Sequence, residues 1–486
     1  MTEFNKFFEP RSLAFVGASS DVRKWGYRVL HNIVRGDYKG KLYPVNPKGG
    51  LIDKLEVYKS LEDIPEVPDL AVIAVPPAGI LQAIRDCGQK GIKACIVITA
   101  GFAEVGEGGA AMQAQMVEIA HSFGMRLVGP NCFGLMSTSR MLYAQMPTVF
   151  PPAGPIAVVS QSGNVGFTIA RQAMFTGFGC SRVISTGNEA DLHAEDFIEY
   201  LAGDEMSRVI MCYIEGFRDG RRFFEIASQA SMKKPIIMIK VGETEAGASA
   251  ARSHTAALSG SDAVFNGVCR QGGFIRVYNL KELMNVGCGF LCHPLPRGNR
   301  VGIVTLGGGW GVLASDACVK LGLTVPKLSE PVLRELDSFL PAWWSRNNPV
   351  DLVTGGPPDA MLRVIDILIK YEQTDAVLAL GLPTAYSEIV EDEFTGVDGE
   401  RKMNEVVDTL VSSFKAVKDM SEKCRKPVIF AAESPAPKGD FRFTYKLTGA
   451  LARQNMVFYA MPDEAAMVLS SMARYSRYLQ SHGKFE

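Results

Sequence analysis

A chain of 486 residues is too long for one compact core, so two or three domains are expected. Apolar residues make up 47% and charged residues 21%, a soluble globular balance. A net charge of −1 with no Lys/Arg-rich block argues against nucleic acid or an anionic membrane as partner.

The start, MTEFNKFFEPRSLAFVGAS, lacks the basic-then-apolar pattern of a secretion signal, and the longest apolar runs are strand-length, so no membrane helix and a cytoplasmic location are expected. The ten cysteines form no C-x-x-C pair and read as buried, reduced thiols, and no residue is singled out as a metal ligand. FVGASSDVRKWGYRVLHNI then reads as strand, glycine turn and helix, the place where doubly wound folds bind phosphate, with Gly17, Ala18 and Ser19 in the turn. The next strand, KLYPVNPKGG, should carry an Asp or Glu if the ligand were NAD. It offers Asn46 and Lys48 instead, with Arg23 and Lys24 in the first loop, which suits a phosphorylated ribose and disfavours a dehydrogenase. The strands LAVIAVP (70–76), ACIVITAG (94–101) and MRLVGPN (125–131) lead into Gly/Pro loops on the same ligand-binding edge.

Pro-rich breaks at MPTVFPPAGP (146–155) and CHPLPRGNR (292–300) precede fresh strands, which divides the chain into domains at 1–145, 150–290 and 298–486. Further strands are PIAVVSQ (155–161), VIMCYIE (209–215), PIIMIKVG (235–242), VGIVTLGG (301–308), DAVLALGL (375–382) and PVIFAAE (427–433). Because these runs are continuously apolar rather than alternating, both faces must be covered. That predicts parallel strands flanked by helices, a doubly wound α/β fold repeated along the chain. GPIAVVSQSGNVGFTIARQAMFTGFG and NRVGIVTLGGGWGVLASDACVKLGL share one order of strand, glycine turn, helix and glycine, so the second and third domains read as variants of one unit.

Three stretches carry chemistry. VVSQSGNVGF sets Ser160, Gln161, Ser162 and Gly163 between a strand and a helix, an anion site by its free N–H groups and helix dipole; Gly308 and Gly309 stand at the equivalent turn, LGGGWGVLASD. MCYIEGFRDG ends a strand with Glu215, which either fixes an imidazole or pairs with Arg218 or Arg221. AGASAARSHTAALSG (246–260) surrounds His254 with small residues, and Ser261 and Asp262 are placed to cap a following helix.

With these motifs in view, the whole chain resembles the α subunits of nucleoside-diphosphate-forming acyl-CoA synthetases (acetate–CoA ligase, ADP-forming), relatives of succinyl-CoA synthetase. FVGAS, KWGYRVL, YPVNPK and VGPNCFGL resemble the family's CoA-binding domain. SQSGNVG, TGNEADL, YIEGFRDG and SHTAALSGSDAVF resemble its ligase-CoA domain, and GGGWGVLASDACVKLGL, NNPVDL and YAMPDEAAMVLSSMARYSRYL the domain after it. The resemblance implies a Rossmann-like CoA-binding domain followed by two flavodoxin-like domains. It implies that His254 carries a phosphoryl group, that Glu215 orients it, and that Ser160, Gln161, Ser162 and Gly163 cradle phosphate, with Gly308 and Gly309 opening a second helix. CoA would be held by Gly17, Ala18, Ser19, Lys24, Asn46, Lys48, Val75, Pro76, Thr99 and Ala100, and substrate by Asn131 and Cys132. The implied reaction interconverts acyl-CoA, ADP and phosphate with a carboxylic acid, CoA and ATP through an acyl phosphate. The turn VTLGGGW departs from the family's Asn-Ala-Gly-Gly type. No G-x-x-x-x-G-K-[ST] occurs and no segment resembles an ATP-grasp module, so ADP/ATP and Mg²⁺ are expected on an ATP-grasp β subunit in an α2β2 assembly. The alternative is a non-catalytic acyl-CoA-binding or regulatory protein of the same fold.

Overall fold

The computed structural model describes residues 3–247, 262–352, 357, 359–382, 396–433 and 442–485. The chain forms two compact units, one of Met1–Met174 with Phe178–Leu280 and one of Phe175–Gly177 with Lys281–Glu486.

The first unit holds two large sheets. One is entirely parallel, in the order Lys41–Val45, Ser12–Val16, Leu70–Ile73, Ala94–Val97, Arg126–Val128. Every residue of its three central strands is buried, as continuous apolar runs require. The other runs Ile275–Arg276, Ile236–Lys240, Val209–Ile214, Ala153–Ser160, Cys180–Ser185, all parallel, and then adds the antiparallel pair Gly134–Ser137 and Leu142–Gln145. This antiparallel pair lies in the stretch expected to close the first domain, yet it hydrogen-bonds into the second sheet. Cys180–Ser185 was not expected as a strand. It breaks the apolar pattern with Arg182, which is buried and meets Glu9 at 2.6 Å and Asp204 at 3.4 Å.

The second unit holds one parallel sheet in the order Val350–Asp351, Val301–Thr305, Ala376–Leu380, Val428–Ala431, Phe458–Tyr459. Counting parallel strands in chain order, all three sheets read 2-1-3-4-5. Each therefore reverses direction between its first and third strands, which opens a crevice beyond their carboxyl ends.

Two features shape these crevices. At the first, Gly17 has φ +97°, and a Cβ there would lie 2.7 Å from the Ala74 carbonyl oxygen. A Cβ on Gly26, in the first turn of the helix Trp25–Arg35, would lie 2.1 Å from the Gly17 oxygen, so the helix seats on the turn only because both residues lack side chains. At the second, Gln161 is buried and spends its whole side chain on its surroundings. Its Oε1 accepts from the N–H groups of Glu215 (2.6 Å) and Gly216 (3.1 Å), and its Nε2 donates to the Gly216 carbonyl and to Glu189, each at 2.8 Å. Glu189, also buried, accepts in addition from Thr186 Oγ1 (2.8 Å) and the Ala194 N–H (3.0 Å). Burial pushes its carboxyl up to about 7; the bonds from Thr186 and Gln161 work against that rise and the charge of Glu195 adds to it.

Gly26→Ala should lower stability by about 2 kcal/mol through overpacking against the Gly17 carbonyl, seen as a lower urea midpoint at unchanged m. The folded state holds the Glu189 proton more tightly than an ordinary glutamate does, so this group costs stability as pH rises from about 4.5 to about 7. Relative to Glu189→Gln, the wild type should lose on the order of 3 kcal/mol between pH 5 and pH 8 in paired urea titrations.

Candidate functional site

Beyond the first switch point lies a cavity of about 1340 Å³, fed by the loop after every strand of that sheet. Of the residues singled out for a cofactor, Gly17, Ala18, Ser19, Lys24, Asn46, Val75, Pro76, Thr99 and Ala100 line it; Asn131 and Cys132 line it too, and Lys48 does not. Lys48 instead donates its backbone N–H to Asn46 Oδ1 at 2.9 Å. The volume exceeds the several hundred Å³ typical of a small-ligand pocket. With Arg23 and Lys24 near the glycine turn and apolar walls, it fits a long, phosphorylated, partly apolar molecule such as CoA. Phe133 lines it beside Cys132, and Trp25, Lys59 and Met146, which escaped the sequence reading, line it as well.

Several of these side chains brace the cavity. Asn46 Nδ2 donates to the Ala18 carbonyl at 2.7 Å, which ties the second strand to the glycine turn. Thr99 Oγ1 donates to the Val75 carbonyl at 2.6 Å and joins the third and fourth strand ends. Cys132 is buried with Sγ 3.3 Å from the Val97 carbonyl, and burial pushes its thiol up to about 12, which rules it out as a thiolate nucleophile at neutral pH. Asn131 takes φ +57° and donates to Asn188 Oδ1 at 3.2 Å.

The second switch point is flanked by Ser160–Gly163 after one strand and Glu215 after its neighbour; Ser160 lies opposite Tyr213 in the ladder. Ser160 Oγ donates to the Ser162 carbonyl at 2.6 Å, and the Gln161 N–H donates to the Tyr213 carbonyl at 3.1 Å. With its side chain and its N–H both engaged, Gln161 positions Glu215 and the turn and is not free to contact phosphate as expected. The donors that can face an anion are those of the first turn of the helix Gly163–Phe175, which have no partner within the helix. Glu215 is 4% exposed. Arg221 pairs with Glu225 at 3.0 Å, and Arg218 donates to the Asn188 carbonyl at 2.7 Å.

One contact joins the two crevices. A Cβ on Gly163 would lie 2.2 Å from the Phe133 ring, and Phe133 lines the large cavity. The Phe133 N–H donates to Ser185 Oγ at 2.9 Å, which fixes the ring's backbone to the second sheet. The cavity wall at Cys132–Phe133 thus abuts the N-terminus of the helix Gly163–Phe175. His254 and Ser261 lie outside the described residues, whereas Asp262 opens the helix Asp262–Gly272.

In the second unit, Gly308 and Gly309 begin the helix Gly308–Lys320 directly after the strand Val301–Thr305. A Cβ on Gly308 would lie 2.9 Å from Asp351 Oδ2, so a carboxylate already stands at this helix N-terminus. Among the described residues no group of three or more His, Cys, Asp and Glu is placed to hold a metal ion, and no helix is long and apolar enough to cross a membrane.

Family models match along the chain, and the ligase-CoA match falls on the third segment rather than on the second, where it was expected. Residues 11–138 match the model of a CoA binding domain, residues 153–290 that of a succinyl-CoA ligase like flavodoxin domain, and residues 301–391 that of a ligase-CoA domain. The chain is 41% identical over 375 residues to the acetate–CoA ligase [ADP-forming] II subunit alpha of Pyrococcus furiosus, an alignment spanning 77% of this chain and 81% of that one. It is 36% identical over 481 residues to the I subunit alpha of the same organism, which spans 98% of both. Its fold superposes on the dinucleotide forming acetyl-coenzyme A synthetase 1 of Ca. Korarchaeum cryptofilum, solved in complex with phosphate and ADP, with a TM-score of 0.84 at 32% identity, covering 99% of this chain and 98% of that one. A glycine turn over a CoA-sized cavity, a neighbouring helix N-terminus and these matches along the whole chain lead to one assignment: the chain belongs to the α subunits of the NDP-forming acyl-CoA synthetases.

Proposed function

We propose that this α subunit makes an acyl phosphate from acyl-CoA where Phe133 meets Gly163, and that His254 then carries the phosphoryl group to a nucleotide held by a separate chain. The observation that supports this reading is the contact itself, in which Phe133, from the wall of a CoA-sized cavity, meets Gly163 at a helix N-terminus, the kind of place that suits an anion.

The chemistry takes three displacements. A phosphate oxygen attacks the thioester carbon, the C–S bond breaks, and CoA leaves as the thiol once protonated. A ring nitrogen of His254 attacks the phosphorus of the acyl phosphate, and the P–O bond breaks to release the carboxylate. An oxygen of the nucleoside diphosphate then attacks the same phosphorus and the P–N bond breaks. Apart from the covalent phosphohistidine, each transfer rests on positioned donors. The N–H groups at Ser162 and Gly163 hold the phosphate, Ser160 shapes the turn, and Glu215 balances the charge of the His254 ring. Gly308 and Gly309 offer a second helix end, where the incoming group shares the terminus with Asp351. Gly17, Ala18, Ser19 and Lys24 take the phosphates of CoA, Asn46 and Thr99 keep the walls in place, and Asn131 and Cys132 border the acyl group.

Three domains, 1–145, 150–290 and 298–486, divide this work. The nucleotide, ADP or ATP with Mg²⁺, belongs on an ATP-grasp β subunit in an α2β2 assembly in the cytoplasm. Both Pyrococcus furiosus relatives described above are themselves named as α subunits, which supports a separate second chain.

Incubation with an acyl-CoA and phosphate, without nucleotide, should add one acid-labile, base-stable phosphoryl group by intact mass spectrometry. His254→Ala should abolish the adduct while leaving CoA affinity within about twofold. CoA binding without any adduct, tried with and without an ATP-grasp partner, would leave an acyl-CoA-binding protein and sink the ligase mechanism.

A further inference from the structure

The last strand of the second sheet, Ile275–Arg276, ends in a residue whose contacts join two separate stretches of the chain. Arg276 is paired in the sheet opposite Met238 on the strand Ile236–Lys240. Its side chain is 5% exposed, and its guanidinium packs 5.3 Å from the Phe265 ring centre and 4.9 Å from that of Tyr278. From that fixed seat Nη2 donates to Glu243 Oε1 at 2.7 Å and to Asp262 Oδ1 at 2.5 Å, and Nη1 donates to Asn266 Oδ1 at 2.8 Å. Glu243 and Asp262 stand on either side of the stretch 244–261, in which His254 lies. One nitrogen thus binds both ends of that stretch.

We propose that Arg276 is a positioning residue for phosphoryl transfer, which holds the two ends of the His254-bearing stretch at one point of the sheet so that the histidine is always delivered from the same base. The inference rests on the reading of His254 as the phosphoryl carrier. Covalent geometry limits the reach: His254 is eight positions from Asp262, so its Cα can lie no more than about 27 Å from the pinned base. Releasing one end frees that base to wander and raises the entropy that each delivery must remove. The partners suit a permanent hold. Arg276 stays charged at every working pH, and its hydrogen bond to Asp262, aided by its charge, draws that carboxyl below the usual range. Both carboxylates are one-third exposed, 35% each, so either can be neutralised without burying a new polar group in the core.

The test uses the full chain with Glu243→Gln and Asp262→Asn singly, and Arg276→Lys as the conservative variant. The stretch 244–261 contains one tryptic site, Arg252, so native proteolysis reads its restraint without reference to phosphorylation. The expected result is cleavage after Arg252 faster by about threefold or more in each carboxylate variant. The rate of His254 phosphorylation at saturating acyl-CoA should fall by about tenfold or more, with KM and CoA affinity unchanged. Arg276→Lys should recover part of that rate, since one ammonium can still meet one end. Wild-type cleavage and phosphorylation rates in both carboxylate variants would overturn the proposal. So would faster cleavage with an unchanged phosphorylation rate, or a loss of rate matched by equal losses of thermal stability and CoA affinity. A wild type that takes no phosphoryl group on His254 would sink the functional reading and the delivery role with it; the cleavage rates would then show only whether Arg276 holds the two ends.

Discussion

The chemistry of the first unit depends on Gly163 having no side chain. The Phe133 ring occupies the place a Cβ would take, 2.2 Å from that position, and any other residue there would push the cavity wall off the helix terminus. The same economy recurs on the other side of the cavity, where Gly26 lets a helix seat on the Gly17 turn. Backbone is the functional material in both places. A phosphate needs N–H groups that no side chain shields, and only close approach of helix, turn and ring leaves them exposed at the end of a CoA-sized space.

Close approach needs a stiff frame, which the buried polar groups supply. Gln161 holds the N–H groups after one strand with the same side chain that reaches Glu189 in the TGNEADL loop, so the turn, the Glu215 strand end and that loop move as one. Such a network is worth having only when every member is satisfied. Glu189 is the costly member, a carboxyl taken fully out of water, and it meets that cost with three donors, Thr186, Gln161 and the Ala194 N–H.

Much of this was legible in the sequence, for physical reasons particular to each element. The runs LAVIAVP, ACIVITAG, VIMCYIE and PIIMIKVG read as strands because a parallel strand covered on both faces is nearly all apolar, and their strand residues are buried or nearly so. Cys180–Ser185 breaks that rule with Arg182, whose charge is met by Glu9 and Asp204, residues remote in sequence that no local pattern could announce. The antiparallel strands Gly134–Ser137 and Leu142–Gln145 were hidden because they begin inside VGPNCFGLM, which reads as a loop of the first sheet until its partner Cys180–Ser185 is known. At the site, nine of the ten residues expected to hold CoA line the large cavity and Lys48 does not, and hydrogen bonds give some of the expected contacts a bracing role. Asn46 and Gln161 were read as ligand contacts because polar side chains at strand ends of such folds often are. Their hydrogen bonds show them holding backbone instead. Arg276 went unremarked because its meaning lies in joining Glu243 to Asp262, and that juxtaposition exists only once the last strand is laid beside Ile236–Lys240.

The three sheets share one strand order, yet their switch points are not electrostatically alike, and the difference bears on direction of transfer. At the Gly163 switch point Glu215 sits on the neighbouring strand end with its backbone N–H held by Gln161, and the Cβ position of Gly163 faces the Phe133 ring rather than a carboxylate. At Gly308 the carboxylate of Asp351 is already at the helix terminus. A phosphoryl group bound at the first site gains the helix dipole in full, while one bound at the second must share it with a like charge. On the proposed route, this difference assigns the acyl phosphate to the Gly163 terminus beside Phe133 and the group carried by His254 to the Gly308 terminus, where Asp351 already stands.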